Sequence, residues 1–222
     1  MKRRDFIKRT AFTTAALAVE GLIPEAGASE MKKTTDSSNA PTIPRREYGK
    51  TGVKLSVIGL GGIVVKDAPQ KQANRVVAEA VERGVNYFDV APTYGDAELK
   101  LGPALEPYRK DVFLACKTGR RGRAGAEAEL KKSLERLQTD YLDLYQMHAI
   151  KDIGKDVDRA FAKDGAMEVF IEAKKSGRVR HLGFSAHSVE AAVAALDLRL
   201  RFRSISVEFR HVLQGELRAG GY

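Results

Sequence analysis

Between Tyr48 and Leu198, short runs rich in β-branched and aromatic residues alternate with helical patterns at intervals of about thirty residues, and this rhythm confines the chain to a parallel α/β arrangement. The runs are Val57–Leu60, Tyr87–Val90, Val112–Cys116, Tyr141–Gln146 and His181–Phe184. They are compact and apolar or aromatic, as strands covered on both faces must be. Helices are expected between them. Ala73, Val76, Val77, Ala80 and Val81 make one apolar face that Gly84 closes as a left-handed stop, and Ala126–Leu137, Met167–Lys175 and Ser188–Leu196 behave similarly, with Gly177 as a second stop. Ahead of the first strand, Tyr48-Gly49-Lys50-Thr51-Gly52-Val53 reads as a small hairpin able to plug the bottom of a barrel.

The 222 residues, 43% of them apolar, suffice for one domain with a good core. The net charge of +9 raises nucleic acid as a partner, so its distribution matters. Residues 1–9 carry a net +4 and residues 199–222 a net +3, which leaves the body only +2 and no basic stripe to track a phosphate backbone. Nucleic acid is therefore set aside. Cys116 is the single cysteine, so no internal disulfide forms, and no Cys/His spacing suits a metal site.

The N-terminus reads as an address. Arg3-Arg4-Asp5-Phe6-Ile7-Lys8 resembles the twin-arginine export motif; an apolar run from Ala11 to Val19 and the A-x-A pattern Ala26-Gly27-Ala28 follow. The apolar run is about half the roughly 20 residues a bilayer span needs, which argues against a permanent membrane span. Residues 1–28 are thus expected to be a signal peptide read by the twin-arginine export machinery, with a periplasmic or extracellular destination. A basic amphipathic helix is the alternative, but it leaves the A-x-A pattern unexplained. The twin-arginine route often carries proteins already folded around a cofactor, which suits a nucleotide-dependent enzyme. Residues 29–44, rich in Ser, Thr, Lys, Asn and Pro, read as a flexible linker.

Chemistry is expected where parallel strands end, because side chains at their C-terminal ends converge on one mouth. Asp89 ends one run, Tyr94 lies in the loop after it, Lys117 ends the next and His148 ends the one after. Singly, each has an ordinary structural explanation. Together they form a coherent set. A carbonyl reduced by hydride needs a proton for the developing alkoxide, and a tyrosine with an ordinary pKa near ~10 gives one up reluctantly at neutral pH. Lys117 would stabilise tyrosinate, Asp89 would hold the lysine, and His148 could bond and orient the substrate oxygen. The hydride must come from a nicotinamide cofactor.

The strings Phe88-Asp89-Val90-Ala91-Pro92-Thr93-Tyr94-Gly95, Ala115-Cys116-Lys117-Thr118 and Leu144-Tyr145-Gln146-Met147-His148 resemble the Asp, Tyr, Lys and His motifs of the aldo/keto reductase family, in the same order and spacing. Gly59-Leu60-Gly61-Gly62 is similar to its first strand loop, and Arg180-His181-Leu182-Gly183-Phe184-Ser185 to its fifth strand. The resemblance covers about residues 45–198. It implies a (β/α)8 TIM-barrel type of fold with about five to six βα units present here, and reduction of an aldehyde or ketone with NADP(H), NAD(H) being the open alternative. It also implies Asp89, Tyr94, Lys117 and His148 as catalytic residues and Gly62, Asp89 and Ser185 as cofactor contacts. Ser185-Ala186 departs from the Ser-Asn of many members, which puts half of the nicotinamide amide contact in doubt. No G-x-G-x-x-G occurs among these glycines, which argues against a dinucleotide fold of the Rossmann type.

Residues 199–222 read as an aberrant tail. Arg199, Arg201 and Arg203 alternate where a sixth strand is due, and an arginine face is a poor barrel interior. A change of reading frame near Leu198 is one expectation and a divergent C-terminus the other. Two further readings of function stand beside the reductase. One is an inactive truncated remnant or interaction protein. The other is a metal-dependent sugar isomerase, which wants several carboxylates and histidines at the strand mouths rather than one Asp–Tyr–Lys–His set.

Overall fold

The computed structural model describes residues 42–198. The export signal, most of the linker and the arginine-rich tail lie outside the described residues.

A hairpin comes first. β1 (Arg45–Glu47) pairs antiparallel with β2 (Lys54–Ser56), and Gly49 and Gly52 take positive φ of 55° and 76° in the connecting turn. Five parallel strands follow: β3 (Leu60–Gly61), β4 (Tyr87–Asp89), β5 (Phe113–Thr118), β6 (Leu142–Ile150) and β7 (Val179–Ala186). Their order in the sheet is their order in the chain, each pairing with the next. A doubly wound sheet reverses direction at a switch point; this one never does, and a sheet wound in one direction is the beginning of a (β/α) barrel. The expectation of a barrel-type α/β fold is met.

The crossovers run through α1 (Gln70–Glu82), α2 (Ala97–Leu105), α3 (Arg123–Leu137), α4 (Arg159–Phe161, entered by a π turn over Ile153–Asp158) and α5 (Ala166–Lys175); α6 (Val189–Asp197) follows β7. The sequence explains most of them. In α3, Ala126, Leu130, Ser133 and Leu137 are buried, one per turn on a single face. Gly84 and Gly177, with φ of 93° and 81°, stop α1 and α5 as anticipated. Ser188 caps α6, its hydroxyl accepting from the Ala191 amide at 3.1 Å.

Two differences from the sequence reading are physical. The first strand is only Leu60–Gly61, and Val57 and Ile58 are exposed before it. α2 has no counterpart among the expected helices, and both Gly102 and Pro103 lie inside it. Gly102 is in fact required there: a Cβ on it would collide with the Arg136 carbonyl oxygen and lie 2.9 Å from the Leu137 Cα, so its absence lets α2 approach the end of α3.

The core has two parts. The larger lies between sheet and helices and includes Phe88, Leu101, Leu130, Tyr145, Phe170 and Phe184. The smaller lies on the opposite face of the sheet, where Phe113, Ala115 and Leu144 pack with Leu55 of the hairpin, and Tyr48 and Val53 lean on them. The hairpin therefore seats at the N-terminal ends of the strands, as the plug reading requires, and the C-terminal ends are left for chemistry.

Candidate active site

Parallel register puts the site together. Asp89 pairs with Ala115 and Lys117 with Gln146, so the inward-facing positions of β4, β5 and β6 rise in steps toward the strand ends. Lys117 climbs this inner face. It is 1% exposed, and its Nζ donates to Asp89 Oδ1 at 2.5 Å, to the Val90 carbonyl at 3.4 Å and to the Tyr94 hydroxyl at 3.5 Å. Tyr94 arrives on the β4–α2 loop, where its amide donates to the Ala91 carbonyl at 3.0 Å and Gly95 takes a φ of 63°. The imidazole of His148 stands edge-on to the Tyr94 ring, with centroids 5.8 Å apart. The four residues expected to act together are brought together.

The electrostatics favour an ionised pair. Burial works against the charge on Lys117, but the Asp89 carboxylate, the hydrogen bond they share, and the nearby Tyr94 and Cys116 outweigh it and hold the ammonium above the ordinary lysine range. Burial, and then the charge of Asp89, push the Tyr48 hydroxyl up to about 12, so the carboxylate is felt well into the inner face. The neighbouring Cys116 is fully buried, and burial followed by the charge of Glu98 pushes its thiol far up, which leaves it inert at neutral pH.

The expected cofactor contacts are placed less uniformly. Asp89 is within the cluster. Gly62 is buried at the start of a 3-10 turn, and a Cβ there would stand 2.8 Å from Val90 Cγ2, so close packing on the end of β4 already requires this glycine. Ser185 is buried on β7; its Oγ accepts from the Ala149 amide at 2.8 Å and keeps its own proton to donate.

Other participants escaped the sequence reading. Thr93 Oγ1 lies 3.4 Å from His148 Nδ1. Arg121 reaches the strand ends from the β5–α3 loop. Gln146, two residues before His148 and so on the same face, is fully buried with neither amide atom bonded to any described residue. Thr93 sits inside a motif already singled out, whereas Arg121 stands in a run of arginines that reads as solvated surface. Among the described residues no group of three His, Cys, Asp or Glu side chains is placed to hold a metal ion, and no helix is long and apolar enough to cross a membrane.

A set of parallel strands wound in one direction, with an Asp–Lys–Tyr–His cluster at its C-terminal end, is the layout of a site in a barrel-type α/β protein. Residues 57–217 match the model of the aldo/keto reductase family, and the chain belongs to that family. It is 36% identical over 155 residues to the uncharacterized oxidoreductase YqkF of Bacillus subtilis (strain 168), a match covering 64% of this chain and 48% of that one. It is 32% identical over 170 residues to L-galactose dehydrogenase of Arabidopsis thaliana, covering 70% and 52%. Among solved structures it is similar to the holo form of aldo-keto reductase AKR11C1 from Bacillus halodurans, with a TM-score of 0.65, 31% identity, and 74% and 57% of the two chains covered. The chain spans about half the length of the curated relatives it matches.

Proposed function

We propose that this chain is an exported carbonyl reductase that converts aldehydes or ketones to alcohols with NADP(H), NAD(H) being the alternative, after passage through the twin-arginine machinery. The observation that carries the reading is the buried ammonium of Lys117, bonded at once to Asp89 and to the hydroxyl of Tyr94. The export step rests on the Arg3-Arg4-Asp5-Phe6-Ile7-Lys8 motif and the segments that follow it.

The nicotinamide, when bound, supplies the hydride. The residues present fit such a group: Ser185 keeps a hydroxyl proton to offer its carboxamide, and the orphaned amide of Gln146 adds an unpaired donor and acceptor to the same inner wall. Tyr94 gives the proton to the substrate oxygen, and Lys117, which donates to its hydroxyl, stabilises the phenolate left behind. Asp89 keeps Lys117 charged and aimed. His148, steadied by Thr93 and the edge of Tyr94, bonds and orients the carbonyl oxygen.

The test is titration of the purified chain with NADPH, followed by fluorescence, with circular dichroism as the control for folding. Saturable binding, followed by turnover of a panel of aldehydes that Tyr94→Phe lowers by about 10²-fold or more, is the expected result. A folded protein that binds neither NADPH nor, in a parallel titration, NADH refutes the proposal.

A further inference from the structure

The strand that carries His148 does not end regularly. Met147 pairs with Phe184 and Ile150 with Ala186, so His148 and Ala149 together face the single residue Ser185. Two residues against one is a β-bulge, a device that bends a strand and re-aims a side chain. Ala149 adopts a φ of 55°, in the left-handed region that a residue with a Cβ enters only under constraint.

The constraint is visible in the peptide that joins these two residues. Its carbonyl, that of His148, accepts from Arg121 Nη2 at 2.7 Å. Its N–H, that of Ala149, donates to Ser185 Oγ at 2.8 Å. Both polar groups of one peptide plane, which a regular ladder would give to neighbouring backbone, are thus held by side chains from β7 and from the β5–α3 loop. Arg121 is itself fixed. Its Nε donates to Asp156 Oδ1 at 3.0 Å, its Nη1 to the Thr118 carbonyl at 3.3 Å, and its side chain is 11% exposed. Asp156 is anchored in turn by the amides of Lys151 and Asp152, at 2.8 and 3.0 Å. One guanidinium therefore spans the end of β5, just after Lys117, and the end of β6 at His148.

We propose that Arg121 and Ser185 are positioning residues: they hold the 148–149 peptide turned out of the ladder and so set the aim of the His148 imidazole relative to Lys117 and Tyr94. Its value for catalysis rests on the function proposed above, but the geometry does not. Asp89, Tyr94 and Lys117 also face this region from the neighbouring elements, so the test has to separate aim from charge.

The experiment is long-range 1H–15N NMR of the histidine rings in the full chain, with the His148 resonances identified by their loss in His148→Asn. Arg121→Met and Ser185→Ala are expected each to move the His148 ring resonances while leaving those of His181 unmoved, with circular dichroism showing both variants folded. Arg121→Lys keeps the charge but cannot bridge two carbonyls and a carboxylate at once, so it is expected to group with Arg121→Met. In an active preparation, Arg121→Met is expected to lower kcat/KM for the carbonyl by about tenfold or more without weakening NADPH binding. Wild-type His148 resonances in either folded variant, or an Arg121→Lys spectrum matching wild type, would overturn the proposal whether or not the protein turns over.

Discussion

Removing either partner of the Lys117–Asp89 pair should not cost the same. The lysine side chain is 2% exposed and the aspartate side chain 21%, at a separation of 2.5 Å. In Lys117→Met the carboxylate left behind still touches water and recovers part of its solvation, so the loss is that of one charged hydrogen bond, about 1.5–3 kcal/mol. In Asp89→Asn the amide oxygen can still accept from the ammonium, but the countercharge is gone and the other acceptors, Val90 O and Tyr94 Oη, are long and neutral, so the buried charge is left uncompensated at a cost of about 3–5 kcal/mol. Shedding the proton is no cheaper: at pH 7 it costs about 1.4 kcal/mol for each of the roughly three units below an ordinary lysine pKa.

The two variants should also differ in pH response. In the wild type the folded pKa of Lys117 is raised, so its stabilisation is complete below the unfolded value, near ~10.4, and is lost as pH rises through the folded value. Without Asp89 the strongest remaining influence is burial, which lowers the folded pKa, so the unfolded chain binds more protons and stability rises with pH up to about 10. Urea unfolding followed by circular dichroism at pH 7 and pH 9.5 would measure both effects. Asp89→Asn should be the weaker variant at pH 7 and regain up to about 3 kcal/mol at pH 9.5. A Lys117→Met variant at least as destabilised as Asp89→Asn, or parallel pH responses in Asp89→Asn and wild type, would refute the reasoning.

Gly102→Ala should destabilise the chain by about 1–3 kcal/mol, since the new methyl meets the backbone of Arg136 and Leu137 rather than a flexible side chain; a urea midpoint equal to that of the wild type would show that α2 and α3 can part at no cost. Cys116 should resist thiol reagents in the folded state and react only as fast as the chain opens, so labelling at pH 8 should accelerate with urea in step with unfolding. Rapid labelling without denaturant would contradict its burial.

The sequence by itself determined what depends on neighbours along the chain. Apolar runs, the one-sided helices and the glycines after α1 and α5 follow from local periodicity and backbone freedom, and the convergence of Asp89, Tyr94, Lys117 and His148 follows because parallel strands all end on the same side. Features set by close approach between distant segments were not legible. Gly102 sits inside a helix because a side chain there would meet the backbone of Arg136 and Leu137, and a side chain at Gly62 would meet Val90. The aim of His148 is the clearest case. It depends on a bulge opposite Ser185, 36 residues beyond Ala149, and on Arg121, 27 residues before His148, and only tertiary structure makes such partners meet. Local spacing brings polar groups to the mouth of a sheet; the angle at which each one faces its neighbour is fixed by backbone groups that must find hydrogen bonds once water is gone.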